Sequence, residues 1–84
     1  MAAEGSMRQG LQEMIWASKA RECRERLSRY AQARELFAEA KDNFVAGDDM
    51  DGYGRALKRV MLARTSFHAE LNRCVSGWGR RGRS

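Results

Sequence analysis

Apolar residues recur at every third or fourth position along most of this chain. Trp16, Ala20, Cys23, Leu27, Tyr30, Ala33, Phe37, Ala40 and Phe44 form one row, and Tyr53, Leu57, Val60, Ala63, Phe67, Leu71, Cys74 and Trp78 form a second. Such spacing places each row on one face of an α-helix. Ser6 followed by Gln9 fits a capping box, and no strong breaker intervenes before Gly47. The pattern predicts a flexible segment over residues 1–5 and one long helix over 6–46, with Gly10 as its weak point. Gly47 suits a left-handed helix stop. Asp48, Asp49 and Asp51 are candidate N-caps for a second helix over 51–78, which Gly77 and Gly79 end. Residues 79–84 follow as a basic flexible tail. The expected fold is all-α: an antiparallel two-helix hairpin with a long first helix.

A short connection forces the two helices to run antiparallel, and facing residues then have a nearly constant sum of residue numbers. Phe44 pairs with Tyr53, Phe37 with Val60, Tyr30 with Phe67, Leu27 with Leu71, Cys23 with Cys74 and Ala20 with Trp78. In this register the first helix, about 60 Å long, overhangs the second, about 40 Å long. Leu11, Met14, Ile15 and Trp16 then lack a partner within the chain. An apolar group of that size commonly marks an interface. The expectation is a homodimer forming a four-helix bundle, or a helical protein partner seated on those residues. The alternatives are a bend near Gly10 that folds the segment back, or fraying.

Charge changes the picture more than composition does. The chain has no Pro, and its net charge is +5. Residues 1–51 carry eight basic and ten acidic residues; residues 52–84 carry eight basic residues and a single acid, Glu70. A basic half beside a nearly balanced one suggests an anionic partner. On a helical wheel Arg55, Lys58, Arg59 and Arg73 fall opposite the apolar row of the second helix, and Arg80, Arg81 and Arg83 follow in the tail. Arginine's planar fork matches phosphate oxygens, and such contacts dominate sequence-independent nucleic-acid affinity. Arg21, Arg24 and Arg26 extend a basic surface if the dimer brings them beside the second helix. The competing reading of all these cations is a solvated face that keeps the protein soluble. A membrane partner is not expected, because the apolar faces are needed for the core.

Other chemistry is sparse. Two cysteines do not make a disulfide framework; a Cys23–Cys74 bridge would staple the far end of the hairpin, but reduced core thiols are the favoured reading in an intracellular protein, cytoplasmic or nuclear, with neither a signal peptide nor a membrane span. One His and two Cys do not complete a zinc site. His68 reads as a structural or surface residue. No nucleotide cradle, carboxylate pair or nucleophile–base arrangement occurs, so neither enzyme nor cofactor is expected. Arg34 and Arg64 fall close to the seam and must turn outward or find acids such as Glu35 or Glu39.

The stretch Phe44, Gly47-Asp48, Tyr53 and Ala56-Leu57 resembles, over about one hairpin, the helix–turn–helix of tetratricopeptide or microtubule-interacting-and-trafficking domains. In architecture alone, a dimeric basic helical hairpin is similar to nodavirus-type suppressors of RNA silencing, which lie along double-stranded RNA. The function expected from the sequence is non-enzymatic nucleic-acid binding, RNA favoured and double-stranded RNA above all, through backbone and shape. The alternative is a helical protein–protein interaction module that uses the apolar N-terminal part of the first helix.

Overall fold

A computed structural model of the chain describes the backbone of residues 2–83 and the side chains of residues 3–77. Three helices follow one another: α1 (Ala2–Lys19), α2 (Cys23–Ala46) and α3 (Met50–Arg83). The all-α class holds, but the two-helix hairpin does not. The expected long first helix is broken in two at residues 20–22, and α1 folds back along α2. The break lies about ten residues beyond Gly10, in a stretch with neither Gly nor Pro. Its cause is tertiary. A straight helix would leave Met7, Leu11 and Met14 in water, whereas the fold-back packs them against Ala33, Phe37 and Ala63. Full burial of a large side chain is worth ~1.5–3 kcal/mol; these three are partly buried and contribute roughly half of that each, which together still offsets the few helical bonds lost at the turn.

Gly10 has a different role from the one its helix propensity suggests. It lies inside α1 with its Cα against the ring of Phe37, and a Cβ there would come within 2.6 Å of that ring. The glycine lets α1 approach α2 closely, and Ala17, Ala33 and Ala40, each 0% exposed, do the same along the seam. Ser6 does not cap a helix either. Helix α1 already begins at Ala2, so residues expected to be flexible are helical, and Ser6 is buried within the helix.

The α2–α3 connection is close to expectation, with one exchange of roles. Gly47 has φ −89° and ψ 7°. Asp48, not Gly47, takes the left-handed conformation at φ 61°, one that Asp tolerates better than most residues. Asp49 is the cap: its Oδ1 accepts the N–H of Gly52 at 2.9 Å. Gly52 in turn lies against the ring of Phe44, where a Cβ would collide. The predicted register holds where it can be read. Phe44 and Tyr53 share one cluster, Phe37 and Val60 another, and Cys23 meets Cys74. The predicted Ala20–Trp78 pair lies partly outside the described residues, because the Trp78 side chain is among those not described.

Three further expectations change. Cys23 and Cys74 are not thiols but a disulfide, with Cα atoms 5.9 Å apart. The compartment argument concerns the redox environment, while the register brings the sulfurs into bonding range. Helix α3 runs past Gly77 and Gly79 to Arg83, because a glycine costs a helix only ~1 kcal/mol and does not end it by itself. The stretch expected to be a flexible tail is therefore helical through Arg83. Finally, the dimer was argued from an unpartnered apolar segment, and the fold-back packs half of it, Leu11 and Met14, against the Phe37 cluster within one chain, while Ile15 and Trp16 stay exposed. Arg34 and Arg64 are both exposed, which removes the conflict at the seam. Among the described residues no helix is long and apolar enough to cross a membrane.

The helices form an elongated body of 55 Å along its longest axis. Helices α1 and α3 each pack along α2, while their own backbones scarcely approach one another. Side chains of α1 and α3 meet over α2 in the Ala3–Ala56 and Phe37–Ala63 clusters, and a groove runs along the surface between the two helices.

Candidate functional site

The α1–α2 turn concentrates polar chemistry. Glu22 leaves the helix with φ −90° and ψ 139° and makes no side-chain bond to the start of α2. The carbonyls at the end of α1 are held instead by Arg26, whose Nη1 donates to the oxygens of Ala20 (3.1 Å) and Arg21 (2.7 Å). The same guanidinium donates from Nη2 to Cys23 Sγ at 3.2 Å and from Nε to Glu70 Oε1. One side chain therefore ties the end of α1, the start of α2 and the body of α3 together. Arginine's five donors in a rigid fork make this possible, and lysine could not satisfy so many directions at once.

Glu70 is the only acid beyond residue 51 and is 5% exposed. Its second oxygen lies 3.6 Å from Arg73 Nη1. Sequence reasoning missed this residue. Two signals could have found it: its isolation among cations, and its pairing with Arg26 in the same α2–α3 register as the cysteines.

Around this knot lies a cleft of about 520 Å³, lined by Arg21, Arg24, Arg26, Arg73 and the disulfide. Arg26 and Arg73 share Glu70. Among the described residues, Arg21 and Arg24 meet no carboxylate within ion-pair distance. The cleft also faces the positive end of α2, whose first N–H groups have no partner within the helix. Four guanidinium groups against Glu22 and Glu70 leave a formal +2 here. Arg21, Arg24 and Arg26 thus reach the second half of the hairpin within one chain, without the dimer that their sequence reading required.

The residues singled out on α3 do not stay together. Arg55, Lys58 and Arg59 line a groove with Arg8 of α1, of about 430 Å³. Arg55 Nη2 lies 3.9 Å from Glu4 Oε1, and its guanidinium sits 5.8 Å from the centre of the Phe44 ring. Arg73 lies in the disulfide cleft, about 27 Å further along the same helix. The side chains of Arg80, Arg81 and Arg83 lie outside the described residues. The proposed interface residues divide as well. Leu11 and Met14 are half-buried against the Phe37 cluster, whereas Ile15 and Trp16 are each 46% exposed. Arg29 lies over the Trp16 ring at 4.9 Å and reaches Glu13 at 3.1 Å, fixing that corner of α1 to α2.

Cys23, Glu70 and Cys74 place three potential metal donors within 4.8 Å of one another. The bridged sulfurs are no longer thiolates, and Glu70 is already neutralised by two arginines, so this group does not suit a cation. What the cleft can do is attract and hold an anion. His68 is exposed, and its ring meets that of Phe67 edge-on at 5.7 Å. Set against known protein families, curated proteins and solved structures, the chain matches none of them.

Proposed function

We propose that this chain is a non-enzymatic nucleic-acid-binding protein, with RNA favoured over DNA and duplex RNA favoured over single strands. The observation that carries the reading is the convergence of Arg21, Arg24, Arg26 and Arg73 on one cleft beside the α2 N-terminus. Arg26 is committed to the turn, which gives the neighbouring cations a rigid base. Arg21 and Arg24 remain free for phosphate oxygens, and the sequence adds Arg80, Arg81 and Arg83 to the same C-terminal stretch. Contacts of this kind grip a backbone and carry no base information, which is how duplex RNA is mainly recognised. One chain presents the whole cleft, so the reading needs no second copy. A dimeric bundle is a separate proposal that light scattering decides.

The test is a mobility shift with duplex RNA, single-stranded RNA and duplex DNA over a salt series. About two to three neutralised phosphates predict a log–log salt slope near −2 on a duplex. Arg21→Glu with Arg24→Glu should weaken binding at least tenfold while circular dichroism stays unchanged. Salt-independent binding, or full affinity in that double variant, refutes the reading.

A further inference from the structure

The surface between α1 and α3 carries a second feature, independent of the arginine cleft. Two adjoining cavities, of about 430 and 400 Å³, share Leu11, Arg59 and Leu62 and form one groove between α1 and α3. Its apolar half is built by Leu11, Met14, Ile15 and Leu62 over the edge of Phe37. Leu62 is 48% exposed and Ile15 46% exposed, so this half presents uncovered apolar surface to solvent. Its other half is rimmed by Arg8, Arg55, Lys58 and Arg59, with Glu4 as the one acid.

We propose that this groove receives an amphipathic helix from another protein, with apolar anchors along one face and Asp or Glu clustered toward one end. Three observations fix that chemistry. First, α1 and α3 lie side by side on α2 and leave a groove between them on the outer surface, where a fourth helix would pack against both as in a four-helix bundle. Second, the stretch of α1 from Glu4 to Ser18 that borders the groove spans about 21 Å, roughly four turns of a ligand helix. Apolar residues at i, i+3, i+4 and i+7 would reach its floor. Third, the rim has a formal charge of +3 weighted toward one end, with Arg59 at the junction with the apolar half, which selects acids there and repels a basic helix.

Two other occupants fit less well. A nucleic-acid backbone has nothing to place on Leu11, Met14 and Leu62. A second copy of this chain brings a net +5 toward a basic rim. Its exposed acidic row on α2, Glu35, Glu39 and Asp42, has beside it only Val45 among the large exposed apolar residues.

The experiment uses the full oxidised chain and a fluorescent helical peptide of about sixteen residues. The peptide carries leucines at the four anchor positions and glutamates confined to its first two turns. Anisotropy should report saturable binding, lost at least tenfold in Leu62→Asp and in Arg59→Glu, both at exposed sites that leave the core intact. A peptide with lysine in place of glutamate should bind at least tenfold more weakly to the wild type and recover on Arg59→Glu. Amide shift mapping should centre on Leu11, Met14 and Leu62. Equal binding of a scrambled peptide, or shifts centred on Arg21 and Arg24, overturns the proposal. So does a stable dimer that Leu62→Asp dissociates, because the groove is then filled by a second copy. Variants at Arg21 and Arg24 should leave peptide binding unchanged, so failure of the nucleic-acid reading and failure of this one are separable.

Discussion

Adding a single methyl group at two glycines should change stability in opposite directions. Gly10 and Gly54 both lie inside helices, so helix propensity alone favours Ala at either by ~1 kcal/mol. At Gly54 nothing lies within 4 Å of the added Cβ, and that gain should appear undiminished. At Gly10 the Cβ would sit 2.6, 2.8 and 2.9 Å from three ring carbons of Phe37. The ring would have to retreat by roughly 1 Å to restore ordinary contact, in an interior with no slack for it. Phe37 is 1% exposed and enclosed by Ala33 and Ala63, so the movement must displace α1 or α3. Overpacking of this kind costs ~1–3 kcal/mol. Gly10→Ala should therefore be destabilising by about 1 kcal/mol net, and the two variants should differ by about 2 kcal/mol. In a domain this small, that difference corresponds to roughly 8–16 °C between their midpoints in thermal circular dichroism. A Gly10→Ala protein as stable as Gly54→Ala would refute the close α1–α2 approach, and with it the fold-back of α1.

Two other outcomes test the knot at the α1–α2 turn. The disulfide closes a loop with a sequence separation of 51, so Cys23→Ser with Cys74→Ser should cost about 4 kcal/mol on the chain-entropy model. The midpoint should fall by roughly 16–30 °C. A fall below about 5 °C means that packing alone holds α3 on α2. In a reducing compartment this staple is absent, and the fold must then stand on its three-helix packing. Glu70→Gln leaves the Arg26 guanidinium without its carboxylate in a site where Glu70 is 5% exposed. The expected loss is about 3 kcal/mol in urea unfolding, at the lower end for a broken buried pair because Arg26 keeps its carbonyl acceptors. A loss under about 1 kcal/mol would mean that the pair is effectively solvated.

Periodicity, capping chemistry and charge are local properties, and what rests on them alone was legible in the residues. The apolar rows over Cys23–Phe44 and Tyr53–Cys74 place the faces of α2 and α3. That an aspartate caps α3 was legible too, while the choice of Asp49 among Asp48, Asp49 and Asp51 came from the structure. The facing of Cys23 and Cys74 follows from the register of a short antiparallel connection. The break at residues 20–22 was not legible there, since nothing in Ala20, Arg21 or Glu22 forbids a helix. It depends on how much apolar surface α1 can bury against α2, and on Arg26 being in place to take the freed carbonyls.

The candidate site divides along the same line. Sequence by itself determined that the last third of the chain is cationic and that Leu11, Met14, Ile15 and Trp16 need company. Only the tertiary structure decided which cations share a surface. The fold-back of α1 carries Arg8 to Arg55, Lys58 and Arg59. The turn carries Arg21 and Arg24 to Arg73. A helical wheel cannot anticipate that sorting, because it orders residues around one axis, while a binding surface is assembled from residues on several.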